Sequence, residues 1–180
     1  MLIDTERSSL LVVDLQTKMV PALADGDGIV ANAVWLIRVA QRIGIPVAAV
    51  EQYPKGLGPL VPAIRELLAP DAVAIKHRFS CVAAKCLAGL PGTDRAQVVI
   101  VGAETHVCVL QSALELVEDG REVYVVADAV GSRRAYDRDV ALARMRQEGV
   151  RVVTREMVAF EWLGEAGTPL FREINRDFLR

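Results

Sequence analysis

Histidine and aromatic side chains are scarce in this chain. It has two histidines, His77 and His106, and only 5% Phe, Trp and Tyr among 180 residues. Two histidines are too few for a histidine-rich metal site, and a core so poor in aromatics must be built mainly from Val, Ala, Leu and Ile. No CxxC pair occurs, so a zinc-type or thioredoxin-type cysteine site is not indicated. No apolar run nears the roughly 20 residues needed to cross a bilayer. The opening Met1-Leu2-Ile3-Asp4-Thr5-Glu6-Arg7 carries charges of both signs and does not read as a secretory signal. Cys81, Cys86 and Cys108 cannot all pair within one chain and are expected to be reduced thiols of a cytoplasmic protein. With a formal net charge of -2, no basic stripe and no RNA-reading aromatic motif, neither nucleic acid nor membrane is expected as a partner.

What is abundant is apolar sequence, 52% of the chain, in short β-branched runs that alternate with helical patterns. Strands are predicted at Ser9 to Val13, Pro46 to Val50, Ala72 to Ile75, Gln97 to Val101, Glu122 to Ala127 and Val150 to Val153. Helices are predicted at Ile29 to Ile43, Thr105 to Glu118, Asp137 to Glu148 and Thr168 to Leu179, with Gly44, Gly120 and Gly149 as stops. Strands apolar on both faces and joined by helices imply a parallel sheet covered on both sides. No linker, repeat or low-complexity stretch interrupts this rhythm, so residues 1–180 are expected to form a single domain. The Pro- and Gly-rich stretch from Glu51 to Pro59 is expected to be a loop.

Ligands of open parallel sheets bind beyond the carboxyl ends of the strands, and three reactive residues fall there. Asp14 ends the first strand, Lys76 ends the third, and Cys108 opens the helix after the fourth. A helix start offers free N–H groups and partial positive charge, which are expected to lower the thiol pKa and stabilise an oxyanion. Cys108 would attack a carbonyl carbon, Asp14 would carry the proton, and Lys76 would hold Asp14 ionised. The backbone N–H groups near Glu104 and Cys108 are candidates for an oxyanion hole. A nucleotide-binding reading is disfavoured, because Asp14-Leu15-Gln16-Thr17-Lys18 has no glycine fingerprint and no Walker A run exists.

Three segments carry a family resemblance: Leu11-Val12-Val13-Asp14-Leu15-Gln16, Lys76-His77-Arg78-Phe79-Ser80, and Gly102-Ala103-Glu104-Thr105-His106-Val107-Cys108-Val109. In this order they resemble the opening Asp, lysine and nucleophile motifs of the isochorismatase-like cysteine hydrolases. Glu51 to Gly58 and Arg155 to Trp162 further resemble the isochorismatase domain-containing subgroup. The resemblance implies a three-layer α/β/α, Rossmann-like sandwich with a six-stranded parallel sheet of order 3-2-1-4-5-6. It also implies a catalytic triad of Asp14, Lys76 and Cys108, a cis peptide between Ala103 and Glu104, and hydrolysis of a small amide or related C–N bond through a thioester. Nicotinamidase-type relatives carry an Asp-x-His metal motif where this chain reads Glu51-Gln52-Tyr53, so no metal and no cofactor are expected. The competing reading is a catalytically silent binding or scaffold protein of the same fold.

Gln16, Tyr53 and Phe79 lie in segments expected to overhang the crevice and contact a small-molecule substrate. Arg133 and Arg134 are expected to be solvated, or to meet a substrate carboxylate. Cys81 and Cys86 are expected to pack within a helix, and Trp35 and Trp162 to anchor a core or an interface. The tail from Thr154 onward suggests a subunit contact in a homo-oligomer, a dimer or larger.

Overall fold

The computed structural model describes residues 1–179. Six strands form one parallel sheet: β1 (Ser8–Val13), β2 (Val47–Gln52), β3 (Val73–Lys76), β4 (Gln97–Ala103), β5 (Glu122–Gly131) and β6 (Arg151–Val153). Their order is β3-β2-β1-β4-β5-β6. The longer helices are α1 (Gly26–Ile43), α2 (Leu110–Glu118), α3 (Ala135–Gln147), α4 (Arg155–Leu163) and α5 (Pro169–Phe178). Single helical turns also follow β2, at Pro54–Leu57 within the expected loop and at Pro62–Arg65 beyond it. A π-helical turn, Thr105–Val109, runs directly into α2. Among the described residues no helix is long and apolar enough to cross a membrane.

Strand alternation divides the interior into two cores. Leu10 and Val12 face one side, where α1, α4 and α5 pack with Leu36, Ile37, Trp162 and Ile174. Leu11 and Val13 face the other, against Leu110, Ala113 and Leu116 of α2 and Leu142 and Met145 of α3. Both faces of β1 are therefore dry, as a central parallel strand requires. The boundaries of α1 follow from its ends. The Asp25 carboxylate caps it by accepting from Gly28 N, and Gly44 ends it at φ 94°, a left-handed conformation that glycine adopts freely.

Several expectations need correction. The Arg155–Leu163 segment is a helix whose Val158, Ala159 and Trp162 fill this chain's own core, while Met157 and Phe160 stay exposed on it. Thr154 caps it through its hydroxyl. Both tryptophans are likewise tied internally: Trp162 Nε1 donates to Ser8 Oγ at 2.9 Å, and Trp35 Nε1 to the Phe178 carbonyl at 2.8 Å. β5 runs four residues beyond Ala127, to Gly131. Its pairing with β4 jumps from Ile100–Val125 to Gly102–Val130, so the strand bulges before rejoining the sheet. Cys81 to Cys86 form a tight turn, not a helix.

Candidate active site

β1 lies in the middle of the sheet, with β2 and β4 on its two sides. Val13 pairs with Val50 on one side and with Gly102 on the other. That second contact is close: a Cβ at Gly102, where φ is 139°, would lie 2.0 Å from the Val13 carbonyl oxygen. Beyond Val13 the chain turns at Asp14, whose φ of 52° is left-handed, a region that Asp tolerates better than most residues. Asp14 is fully buried there.

Lys76 starts two strands away, paired with Gln52 at the ends of β3 and β2. Its stem crosses β2, and Nζ ends 2.7 Å from Asp14 Oδ2 and 2.7 Å from Gln52 Oε1. Gln52 is held in turn: its Nε2 donates to the His77 carbonyl at 2.8 Å, and its backbone N–H to Gln16 Oε1 at 2.7 Å. Gln16 Nε2 donates to the Gln52 and Gly58 carbonyls. Both amide hydrogens of Gln16 are thus engaged with backbone, and its side chain ties the ends of β1 and β2 together.

Cys108 sits in the π-helical turn with 3% exposure. The turn is anchored by the Glu104 carbonyl, which accepts from Val107 N at 3.0 Å and Val109 N at 3.2 Å. The thiol is near enough to Asp14 and Lys76 for both to act on it. Asp14 Oδ1 nonetheless has no hydrogen bond of normal geometry, and neither does the buried Thr105 hydroxyl. The buried Asp14 carboxylate thus has Oδ1 without a hydrogen-bond partner and the Cys108 thiol within reach.

Burial raises the Asp14 pKa against the pull of the Lys76 charge and hydrogen bond. On Lys76 burial pushes down, but the attraction of Asp14, then of Cys108, wins, and the ammonium is held above its usual range. Burial first, then the Asp14 charge, pushes the Cys108 thiol up to about 12. The expected activation of the resting thiol is thereby overturned. Placement at a helix start and beside Lys76 does not outweigh desolvation next to a carboxylate.

The peptide between Ala103 and Glu104 is cis. The Glu104 carboxylate accepts from the backbone N–H of Arg133 at 3.1 Å and from its Nε at 2.9 Å, while the Arg133 side chain stays largely exposed. Arg134 is exposed. Tyr53 and Phe79 stand about half exposed on the segments after β2 and β3. Tyr53 has a left-handed φ of 38°, and its ring lies 5.7 Å from that of His77. His106 Nδ1 is 2.9 Å from Ser132 Oγ.

Gln52 is the residue that sequence reasoning missed. Its signal was available: a polar side chain at the last position of β2, beside the end of the Lys76 strand. The place of the metal motif is also taken up by other work. Glu51 is buried and its Oε1 accepts from Leu60 N at 2.7 Å, while Gln52 serves Lys76. Among the described residues no group of three His, Cys, Asp or Glu side chains converges as metal ligands would. Two cavities of about 340 and 330 Å³ lie elsewhere, the first beside Cys81 and Leu116, the second beside Ile29 and Asp128.

Residues 8–157 match the isochorismatase domain. Isochorismatase domain-containing protein 2 of Danio rerio is 39% identical over 176 residues, which cover 97% of this chain and 88% of that protein. The structure of MAR1 ribonuclease from Caenorhabditis elegans is similar with a TM-score of 0.88 and 35% identity, over 100% of this chain and 93% of that one. The YcaC gene product of Escherichia coli, described as an octameric hydrolase of unknown specificity, is similar with a TM-score of 0.82 and 27% identity, over 91% and 83% of the two chains. The match spans all three strand-end motifs, and this chain belongs to the isochorismatase family of hydrolases.

Proposed function

We propose that this chain is a cysteine hydrolase of small amides or related C–N bonds that works without a metal, with Cys108 as nucleophile and Asp14 and Lys76 as its partners. The observation that carries the reading is the meeting of three buried groups at Asp14: Lys76 donates to Oδ2, Oδ1 has no other hydrogen bond, and the Cys108 thiol lies within reach of the same carboxylate.

In the first half-reaction the Cys108 sulfur attacks the substrate carbonyl carbon while its proton passes to Asp14 Oδ1. Proton transfer concerted with attack suits a thiol whose pKa is about 12, because almost no free thiolate is present beforehand. The N–H groups of Glu104 and Cys108 receive the developing oxyanion. The C–N bond then breaks, Asp14 returns the proton to the leaving nitrogen, and a thioester remains. In the second half-reaction water attacks the thioester carbon and Asp14 takes its proton. The C–S bond breaks, and the proton returns to the sulfur as the acid leaves. Lys76 stays an ammonium throughout and keeps Asp14 in place. Tyr53 and Phe79 supply apolar surface at the entrance. The name of the Caenorhabditis elegans neighbour speaks for that protein; a buried thiol facing a carboxylate suits acyl transfer.

The E. coli neighbour is described as octameric, and here Tyr136 and Val140 stand exposed four residues apart on α3, so the reading includes a homo-oligomer. Light scattering on the purified chain tests that part. The enzymatic part is tested by a panel of amides and carbamoyl compounds scored for ammonia release, with Cys108→Ala as control. Release that Cys108→Ala abolishes supports the hydrolase, and no release across the panel favours a silent binding protein.

A further inference from the structure

The other two cysteines are not independent packing residues. The turn after Ser80 closes as a helix terminus does: Lys85 N donates to the Val82 carbonyl at 2.8 Å and Cys86 N to the Cys81 carbonyl at 3.3 Å, with Lys85 left-handed at φ 54°. This nested pair of bonds brings the side chains of the first and sixth residues together, a contact usually made by two apolar groups. Here it is made by two thiols. Cys86 Sγ lies 3.5 Å from the Cys81 carbonyl oxygen, and the two sulfurs are within hydrogen-bonding reach of each other. Cys81 is fully buried and its sulfur accepts from Ser112 Oγ at 3.3 Å; Cys86 is partly exposed.

We propose that Cys86 and Cys81 form a hydroperoxide-reactive dithiol, with Cys86 the attacking and Cys81 the resolving thiol. The Cys86 sulfur attacks one peroxide oxygen and the O–O bond breaks, leaving a sulfenic acid on Cys86 and releasing water. The Cys81 sulfur then attacks the Cys86 sulfur, the S–O bond breaks, a second water leaves, and the disulfide forms. In sum, two thiols and one hydrogen peroxide give one disulfide and two waters; the sulfurs lose two electrons and the peroxide oxygens gain them.

The electrostatics distinguish the three thiols. The neighbouring Cys81 thiol lowers the Cys86 pKa, and the Lys76 charge adds to this. The reciprocal effect of Cys86, with burial, raises Cys81 well above its usual range. Cys108, pushed up to about 12, is the poorer peroxide target although it is the proposed nucleophile of the hydrolase. The dithiol is separate from the hydrolase reading and stands or falls without it.

The test is treatment of the intact chain with one equivalent of hydrogen peroxide, followed by thiol counting and peptide mapping. Two of the three thiols are expected to disappear, with a Cys81–Cys86 cross-linked peptide, free Cys108 and reversal by dithiothreitol. Cys86→Ser is expected to slow peroxide-driven thiol loss at least about tenfold. Cys81→Ala is expected to halt the reaction at a Cys86 sulfenic acid trapped by dimedone. Loss of Cys108 before Cys86, disulfides only between chains, or an unchanged rate in Cys86→Ser would overturn the proposal.

Discussion

Lys76 Nζ lies 2.7 Å from Asp14 Oδ2, although β2 separates the strands that carry the two residues. The pair is fully buried. Breaking such a pair by removing one partner leaves an uncompensated charge in the core and costs roughly 3–5 kcal/mol, whereas removing both costs far less. Lys76→Met is therefore expected to lower unfolding stability by an amount in that range. In an Asp14→Asn background the same substitution is expected to cost less than half as much. Denaturant unfolding of the four proteins measures this. Equal costs in the two backgrounds would mean that the ion pair does not hold the site together.

The Cys108 thiol makes stability depend on alkaline pH. Its ordinary pKa of 9.0 applies to the unfolded chain, while in the folded chain it is pushed up to about 12. Between these values the unfolded chain releases a proton that the folded chain keeps, so stability falls as pH rises. Lys76, held above 10.5 in the folded state, adds to the slope in the same direction. Cys108→Ala is expected to show a shallower decline over this window in denaturation midpoints taken at several pH values. Parallel profiles for the two proteins would show that the folded thiol titrates normally.

Gly102 fixes how closely β1 and β4 approach at the site. Gly102→Ala would force a Cβ against the Val13 carbonyl one residue before Asp14, at a φ that side chains rarely adopt. The strands must separate there, and the expected loss is about 3 kcal/mol or more, at the upper end of ordinary overpacking. Because β4 leads into the Cys108 turn, hydrolysis is expected to fall even in protein that remains folded. A thermal melt within 2 °C of the parent, about half a kcal/mol in a chain of this size, would refute the close-approach argument.

The positions of Asp14, Lys76 and Cys108 were legible because the first two follow or end apolar strands and the third opens the turn after one, and a parallel sheet gathers such ends along one edge. The length of Lys76 was legible too; its path was not, since reaching Asp14 depends on side-chain direction across β2. The state of the Cys108 thiol was misjudged for a physical reason. Helix-start electrostatics can be read from order along the chain, but desolvation depends on packing by residues distant in sequence. The helix Arg155–Leu163 escaped notice because its apolar residues are divided between the core, at Val158, Ala159 and Trp162, and solvent, at Met157 and Phe160. The turn holding Cys81 and Cys86 looked helical because its first residues are one helical turn, and Lys85, rather than a glycine, takes the left-handed position that ends it.

Gln52 provides the sharpest test of how Lys76 is held. Its Oε1 takes one ammonium hydrogen and Asp14 takes another, while His77 and Gln16 fix the Gln52 amide and backbone. Gln52→Leu keeps much of the volume but leaves an ammonium N–H and the His77 carbonyl without their partner. Each such unsatisfied buried group costs about 1–3 kcal/mol. Lys76 is also expected to lose protons at lower pH, since burial remains and one stabilising acceptor is gone. In stability profiles the decline that Lys76 contributes, which starts at its unfolded pKa in every variant, should then end at lower pH and be smaller than in the parent. Gln52→Glu is expected to do the reverse on Lys76, adding a second carboxylate that holds the ammonium more strongly. A purely space-filling Gln52 predicts loss of stability in the leucine variant with no movement of the alkaline limb in either variant, so the opposite displacements of that limb, more than the stability loss, identify Gln52 as the residue that positions Lys76.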